Sequence, residues 1–314
     1  MQNFRELFGN QYEHYLDARR GGHNSSMLVY KRVFENVDFT GIDLTGVRFE
    51  HVTFKYCEFA DAQLQRTTFT SCLFDYCSMT KADMTLTGIY SSVFNCTTMS
   101  YVNLTHSEIH NTEFRSVTAE GIKLNNSIIM DVTVTGGDLT KAKVTGAEFK
   151  HGLFSDVKLP NADFSGSNFT HTSFKASYLF GTDLSHCRFL GGYITHTSML
   201  HANLTRSRFR DIKFDVATLT GALVDKAAFT RCDFIDSVLA AKSACAMGVN
   251  SCTFYNSMFT EDTYHTQYYK CDFSNVDLTL IDETVKFRFC EFTDAIKRDD
   301  RLYVNCKFRT TEVN

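Results

Sequence analysis

The chain of 314 residues holds a single proline, Pro160, and no apolar run of about 18 residues, so no segment has the make-up of a membrane-spanning helix. No basic stretch followed by an apolar core and a small-residue cleavage site stands near its beginning, and the expectation is neither Sec export nor a membrane segment. An excess of charge of one sign is also lacking. Its 32 Lys and Arg stand against 36 Asp and Glu, a formal net charge of −4, and a pI near 6.3 argues against direct nucleic-acid binding. Phosphate-loop, Gly-x-Ser-x-Gly, His-Glu-x-x-His and dinucleotide fingerprints are absent from any strand-to-helix context, and there is no Cys-x-x-Cys.

What is present is a lattice. From position 34 to position 269 every fifth residue is apolar, 48 positions in a chain whose apolar fraction is 43%. A period of five fits neither the 3.6 of a helix nor the 2 of a strand, so the unit is a short extended piece followed by a turn. Such a unit cannot bury its apolar residue alone and must stack on its neighbours, which is the logic of a solenoid. Two residues before each centre, from 37 to 237, stands a small or β-branched companion, as in Val37, Ile42, Val47, Val52, Cys57, Ala62, Thr67 and Cys72. A large centre with a small companion fills a narrow interior.

Columns of residues twenty apart are distinct. The column beginning at Phe34 is Phe at 34, 54, 74, 94, 114, 154, 174, 214, 234 and 254, broken only by Val134 and Ile194, while the column beginning at Leu44 has one Phe, Phe164. Four units therefore make one coil, with parallel pairing between coils, and twelve coils at about 4.8 Å each rise about 58 Å.

The pentapeptides ADFSG (162–166), ANLTR (202–206) and VDFTG (37–41) resemble the A-[DN]-L-x-x motif of the pentapeptide-repeat family. The resemblance covers about three quarters of the chain. It implies an all-β fold: a right-handed quadrilateral parallel β-helix of about twelve regular coils, with small residue and Leu or Phe both inward.

The expected organisation is an N-terminal amphipathic helix and linker over 1–30, the β-helix over 31–261, and irregular final coils with a cap over 262–314. In the first segment Phe4, Leu7, Phe8, Tyr12, Tyr15 and Leu16 recur at helical spacing. Asn3 can cap the start and Gly21-Gly22 the end, and a first strand falls near 27–30. The helix would plug the first coil and shield its unpaired edge; the rival role is docking or secretion. Ala119 and Ala244 are weak centres, and Lys242 takes an inward slot within 240–248, where a bulge or loop is expected. Asp262 and Gln267 break the inward pattern. The later centres Phe273, Leu278, Phe287, Phe292 and Phe308 are not spaced in fives, and a charged loop is expected over 297–301.

Of the eleven cysteines, Cys57, Cys72, Cys77, Cys187, Cys232 and Cys252 take the small inward slot, and Cys271, Cys290 and Cys306 sit two before a Phe. Cys57/Cys77 and Cys232/Cys252 are one coil apart, within reach of a disulfide, but the expectation is reduced, packed thiols.

Seven of the eleven histidines (51, 106, 151, 171, 186, 196 and 201) are corner residues. His151 and His171 stack with Asp131 and Asp211 nearby, but a metal site needs three or four converging ligands, and none is expected. Asp163 and Asp183 stack without a pocket, so no acid/base pair follows. A filled interior offers no concave site, and no catalytic residue, cofactor or enzyme activity is expected.

Function is then expected on a wall. Pro160, Phe180 and Leu200 form an outward column beside Tyr178, the first-choice protein-binding patch; an oligomer partner or C-terminal loop is its alternative cover. Arg188, Arg206, Arg208 and Arg210, with Arg231, form a secondary basic surface. The expected function is a non-enzymatic protein-interaction scaffold, bacterial or phage-encoded, acting in the bacterial cytoplasm or delivered to a host cell as an effector by a non-Sec route. Homo-oligomerisation through an end cap is a further expectation. The resemblance implies a rival, a DNA-mimicking modulator of DNA gyrase of the quinolone-resistance type. Duplex DNA over about 58 Å would carry about 34 charges, which a net of −4 matches poorly.

Overall fold

In a computed structural model of the chain, residues 7–20, 27–241, 247–259, 266–297 and 302–311 are described. They fall into two compact units, one up to Lys143 and one from Val144 onward. Each unit is a parallel β-solenoid with four sides to a coil. Two adjacent sides are three-residue strands centred on the lattice residue, buried in the middle and open at both ends. The other two are held coil to coil by single-residue bridges such as Asp38 to Glu58 and Asp43 to Gln63.

In the first unit, strands Val33–Glu35, Thr53–Lys55, Leu73–Asp75, Val93–Asn95, Glu113–Arg115 and Thr133–Thr135 stack in order, each partner 20 residues on. Phe54 lies between Phe34 and Phe74, with ring centroids 5.4 and 4.9 Å away and planes within 15° of parallel. Like residue over like residue keeps the pleat in phase and lets flat rings stack offset. Companion threonines in the small slot donate to the carbonyl of the coil below, as Thr67 does to Leu44 at 2.9 Å and Thr87 to Leu64 at 2.9 Å. A hydroxyl is thus buried at no loss of hydrogen bonding.

The N-terminal helix is not continuous. Gly9 takes a φ of 66° and interrupts the helical backbone at 7–8, so helix α1 spans Asn10–Arg20. Its Tyr12 and Tyr15 are buried, and their hydroxyls donate to the carbonyls of Asp43 and Thr45. The Phe8 ring lies 5.5 Å from that of Phe34. Asn3, Phe4 and Gly21-Gly22 lie outside the described residues, and the first strand is Leu28–Tyr30.

In the second unit the register of 20 holds through the pairing of Val238 with Met258. It then shortens. Val249 pairs with Tyr268 and Phe254 with Phe273, both 19 apart; the same step joins Tyr268 to Phe287 and Phe273 to Phe292, and 16 separate Phe292 from Phe308. The inward residue is therefore Tyr268, 2% exposed, and the lattice position Tyr269 points outward at 38%. Thr266 fills the companion slot and Gln267 flanks the centre outside, so Gln267 does not break the inward pattern. In the coil from Tyr268 to Phe287 the missing residue comes from the third side. Ile281 and Val285, both buried companions, are four apart with Glu283 exposed between them. The segment 242–246 with Lys242 and Ala244, the residue Asp262, and 298–301 of the charged segment lie outside the described residues. No helix among the described residues is long and apolar enough to cross a membrane.

Candidate functional site on the second wall

A hollow lined by Leu219, Val224, Phe229, Leu239, Ala241, Met247 and Tyr268 encloses about 10 Å³, no more than one water's space. A shallow surface hollow of about 250 Å³ is lined by Asn256, Ser257, Met258, Phe259, Asn275, Asp277 and Leu280. Among the described residues no group of three or more His, Cys, Asp or Glu is placed to hold a metal ion. His151 and His171 meet edge to face with centroids 5.6 Å apart.

The second wall, whose centres include Leu159, Leu179 and Met199, carries the apolar patch. Tyr178 sits in the bridge ladder between Lys158 and Ser198, and its position one before the centre turns the ring outward. Phe180, one after the same centre, also faces out. The two rings lie 6.0 Å apart and within 8° of parallel, at 41% and 36% exposure. Burial of Leu179 at the centre fixes the backbone between them, so neither ring can turn inward without breaking the coil.

The surroundings hold Phe180 in place. The His201 ring meets it edge to face at 5.4 Å. Gly181, with φ 61°, leaves space for the Asn161 side chain, which a Cβ at 181 would strike at 2.8 Å. Backbone bonds from Asn161 N–H to Phe180 O and from Gly181 N–H to Leu200 O, both 2.9 Å, tie the three coils together. Pro160 and Leu200 are half-buried beneath and above Phe180. Pro160 costs no ladder bond, because the N–H at the equivalent positions 40 and 140 is turned to the local carboxylates of Asp38 and Asp138.

The basic residues separate into two groups. Arg188 and Arg208 are ladder neighbours on the fourth wall. Arg210 lies 3.5 Å from Asp211, and Arg231 grips the same carboxylate with two bonds of 2.7 Å. Arg231 and then Arg210 hold the Asp211 carboxyl below its usual range. Arg188, Arg206 and Arg208 make no ion pair among the described residues, so the uncompensated basic surface is smaller than the sequence indicates. The structure does not bring these arginines onto the face of Tyr178 and Phe180, which belongs to another wall.

Sequence reasoning missed two features. Tyr56 and Tyr76 stack at 5.6 Å on exposed corners of the first unit; their spacing of twenty was a signal available at the corner positions. The cysteines two before Phe234, Phe254, Phe273, Phe292 and Phe308 form one column, hidden because the spacing changes from 20 to 19 and 16.

Comparison with known proteins agrees with this architecture. A family model for pentapeptide repeats matches in 8 copies, over residues 33–70, 138–175, 147–185 and 173–211. Similar solved structures include HetL, a pentapeptide repeat protein involved in heterocyst differentiation regulation from the cyanobacterium Nostoc sp. strain PCC 7120. It is 16% identical, over 75% of this chain and 96% of that one, with a TM-score of 0.40. Trypsin-treated QnrB1, a plasmid-mediated fluoroquinolone resistance protein, is 17% identical over 65% of this chain and 91% of that one, with a TM-score of 0.26. Rfr23, a pentapeptide repeat protein from the cyanobacterium Cyanothece 51142, is 11% identical over 40% and 86%, with a TM-score of 0.22. Among curated proteins none matches the sequence.

Proposed function

We propose that this chain, a pentapeptide-repeat protein, is a non-enzymatic scaffold that binds another protein through the Tyr178 and Phe180 face. The observation that carries the reading is the pair of parallel rings held outward by a buried centre, with Pro160 and Leu200 in the adjoining coils. Exposed aromatic groups whose conformation is already set lose little entropy on docking, and such rings dominate binding energy where they meet an apolar pocket. The complementary partner surface is an apolar cleft with hydrogen-bond acceptors at its rim for the Tyr178 hydroxyl.

Phe180→Asp tests this. The substitution lies outside the core, so circular dichroism and melting temperature are expected to stay at wild-type values while a specifically retained protein is lost from pull-downs. An unchanged set of retained proteins sinks the reading. Sedimentation of both forms separates the self-association alternative, because conversion of a wild-type oligomer to a monomer by the substitution would make the patch a contact between copies.

A further inference from the structure

Five cysteines share one interior column at the C-terminal end of the second unit. Cys232, Cys252, Cys271, Cys290 and Cys306 each precede a first-wall Phe by two residues. The pairing of Phe234, Phe254, Phe273, Phe292 and Phe308 sets them one above another. The Cys232 N–H donates to Cys252 Sγ at 3.4 Å, and side-chain interactions continue from Cys252 to Cys271, to Cys290 and to Cys306. The first four thiols are buried; Cys306 is half-exposed.

Cys306 differs from the other four in its exposure. Cys290 donates to Tyr268 O in the coil below and to Arg288 O in its own, and Cys306 donates to Val304 O within its own coil at 3.5 Å. Lys307 N–H donates to Cys290 O at 2.9 Å, which places Cys306 one coil step above Cys290. A step of about 4.8 Å lies inside the Cα span that a disulfide accepts.

We propose that Cys290 and Cys306 are an oxidisable dithiol, a modification site whose co-substrate is a small disulfide of the glutathione type. The Cys306 thiolate attacks one sulfur of that disulfide, the S–S bond breaks, and the first thiol leaves with a proton. Cys290 then attacks Cys306 Sγ in the mixed disulfide and displaces the second thiol. The protein loses two hydrogens, the small disulfide becomes two thiols, and the final strand Lys307–Arg309 is stapled to the coil beneath. Cys232, Cys252 and Cys271, at most 2% exposed, are closed to the incoming disulfide.

The test exposes the full chain to glutathione disulfide and reads intact mass and thiol-mapped peptides. Burial pushes the Cys306 thiol up from its ordinary value, so mildly alkaline buffer is used. The expected product yields a linked Cys290–Cys306 peptide, two hydrogens lighter than its two free-thiol halves, whatever adduct the half-exposed Cys96 takes up. Cys290→Ser, a residue that already fills equivalent slots at Ser237 and Ser257, is expected to stop at a stable glutathione adduct on Cys306. Cys306→Ser is expected to give neither product. A wild-type protein that keeps a stable adduct beside a free Cys290, links another pair, or stays unmodified while its denatured form reacts overturns the proposal.

Discussion

Every fifth position from 31 to 236 takes a left-handed φ, whether or not it is glycine. Most of these corners are Asn, Asp, His, Lys, Ser or Gly, but Tyr56, Leu86 and Val216 adopt it too. A non-glycine residue there costs about 1–2 kcal/mol, most for a β-branched one. The corner N–H compensates by donating to the next coil, as His51 does to Thr70 O and Val216 to Ile235 O at 3.0 Å. Val216→Asn keeps that bond and relieves the branched Cβ, and is expected to raise stability by about 1 kcal/mol in urea titrations. Gly192, at φ 108°, is a different case, since any Cβ would run into the Thr172 carbonyl oxygen.

Titration of the buried thiols also belongs to single residues. Burial pushes Cys72 up to about 11 and Cys187 up to about 12, from an ordinary value of 9.0. Below pH 9 both folded and unfolded chains hold the protons, and stability is unaffected. Above pH 9 the unfolded chain ionises first and binds fewer protons, so stability falls by up to about 1.4 kcal/mol per pH unit for each thiol until its folded value is passed. Urea midpoints are expected to be flat from pH 7 to about 9 and to decline beyond, and Cys72→Ala with Cys187→Ala is expected to flatten that decline. A decline unchanged in the double variant would assign it to other groups.

At the scale of the element, the coil is held by columns. Phe54 is 0% exposed, stacks on Phe34 and Phe74, and meets Phe39, Phe49 and Phe59 at centroid distances of 5.2 to 6.0 Å. Phe54→Ala leaves a cavity that rigid neighbouring coils cannot close, and an expected loss of about 3–5 kcal/mol in denaturant titration checks it. Tyr178 and Phe180 sit beside a buried centre too, yet their rings are outside it, so their replacement is expected to leave stability near wild type. The columns up to Phe254 were legible from spacing alone. The final coils were not, because a coil of 19 residues places Tyr268 inward and Tyr269 outward, and a period search continues past that step without noticing it. The column of five thiols was lost to the same shift.

Charge is a property of the whole chain. A net of −4 is spread over walls where acidic and basic residues alternate, unlike the uniform charge of a duplex. A gyrase supercoiling assay, with and without a quinolone, is accordingly expected to show no effect of micromolar protein; inhibition or protection would favour the DNA-mimic reading instead. Capture through the second-wall rings would also be only weakly sensitive to salt, in contrast to binding through Arg188 and Arg208.

The sequence by itself determined the four-sided coil, the identity of the inward columns and the outward placement of Pro160, Tyr178, Phe180 and Leu200, because a period of five with a large centre and a small companion has one way to bury both. Tertiary structure alone decided which exposed rings are parallel, which arginines are neutralised by Asp211, and how coils of 19 and 16 residues bring five cysteines into line. Those outcomes depend on side-chain direction and on coil-to-coil register, and neither is a function of spacing along the chain.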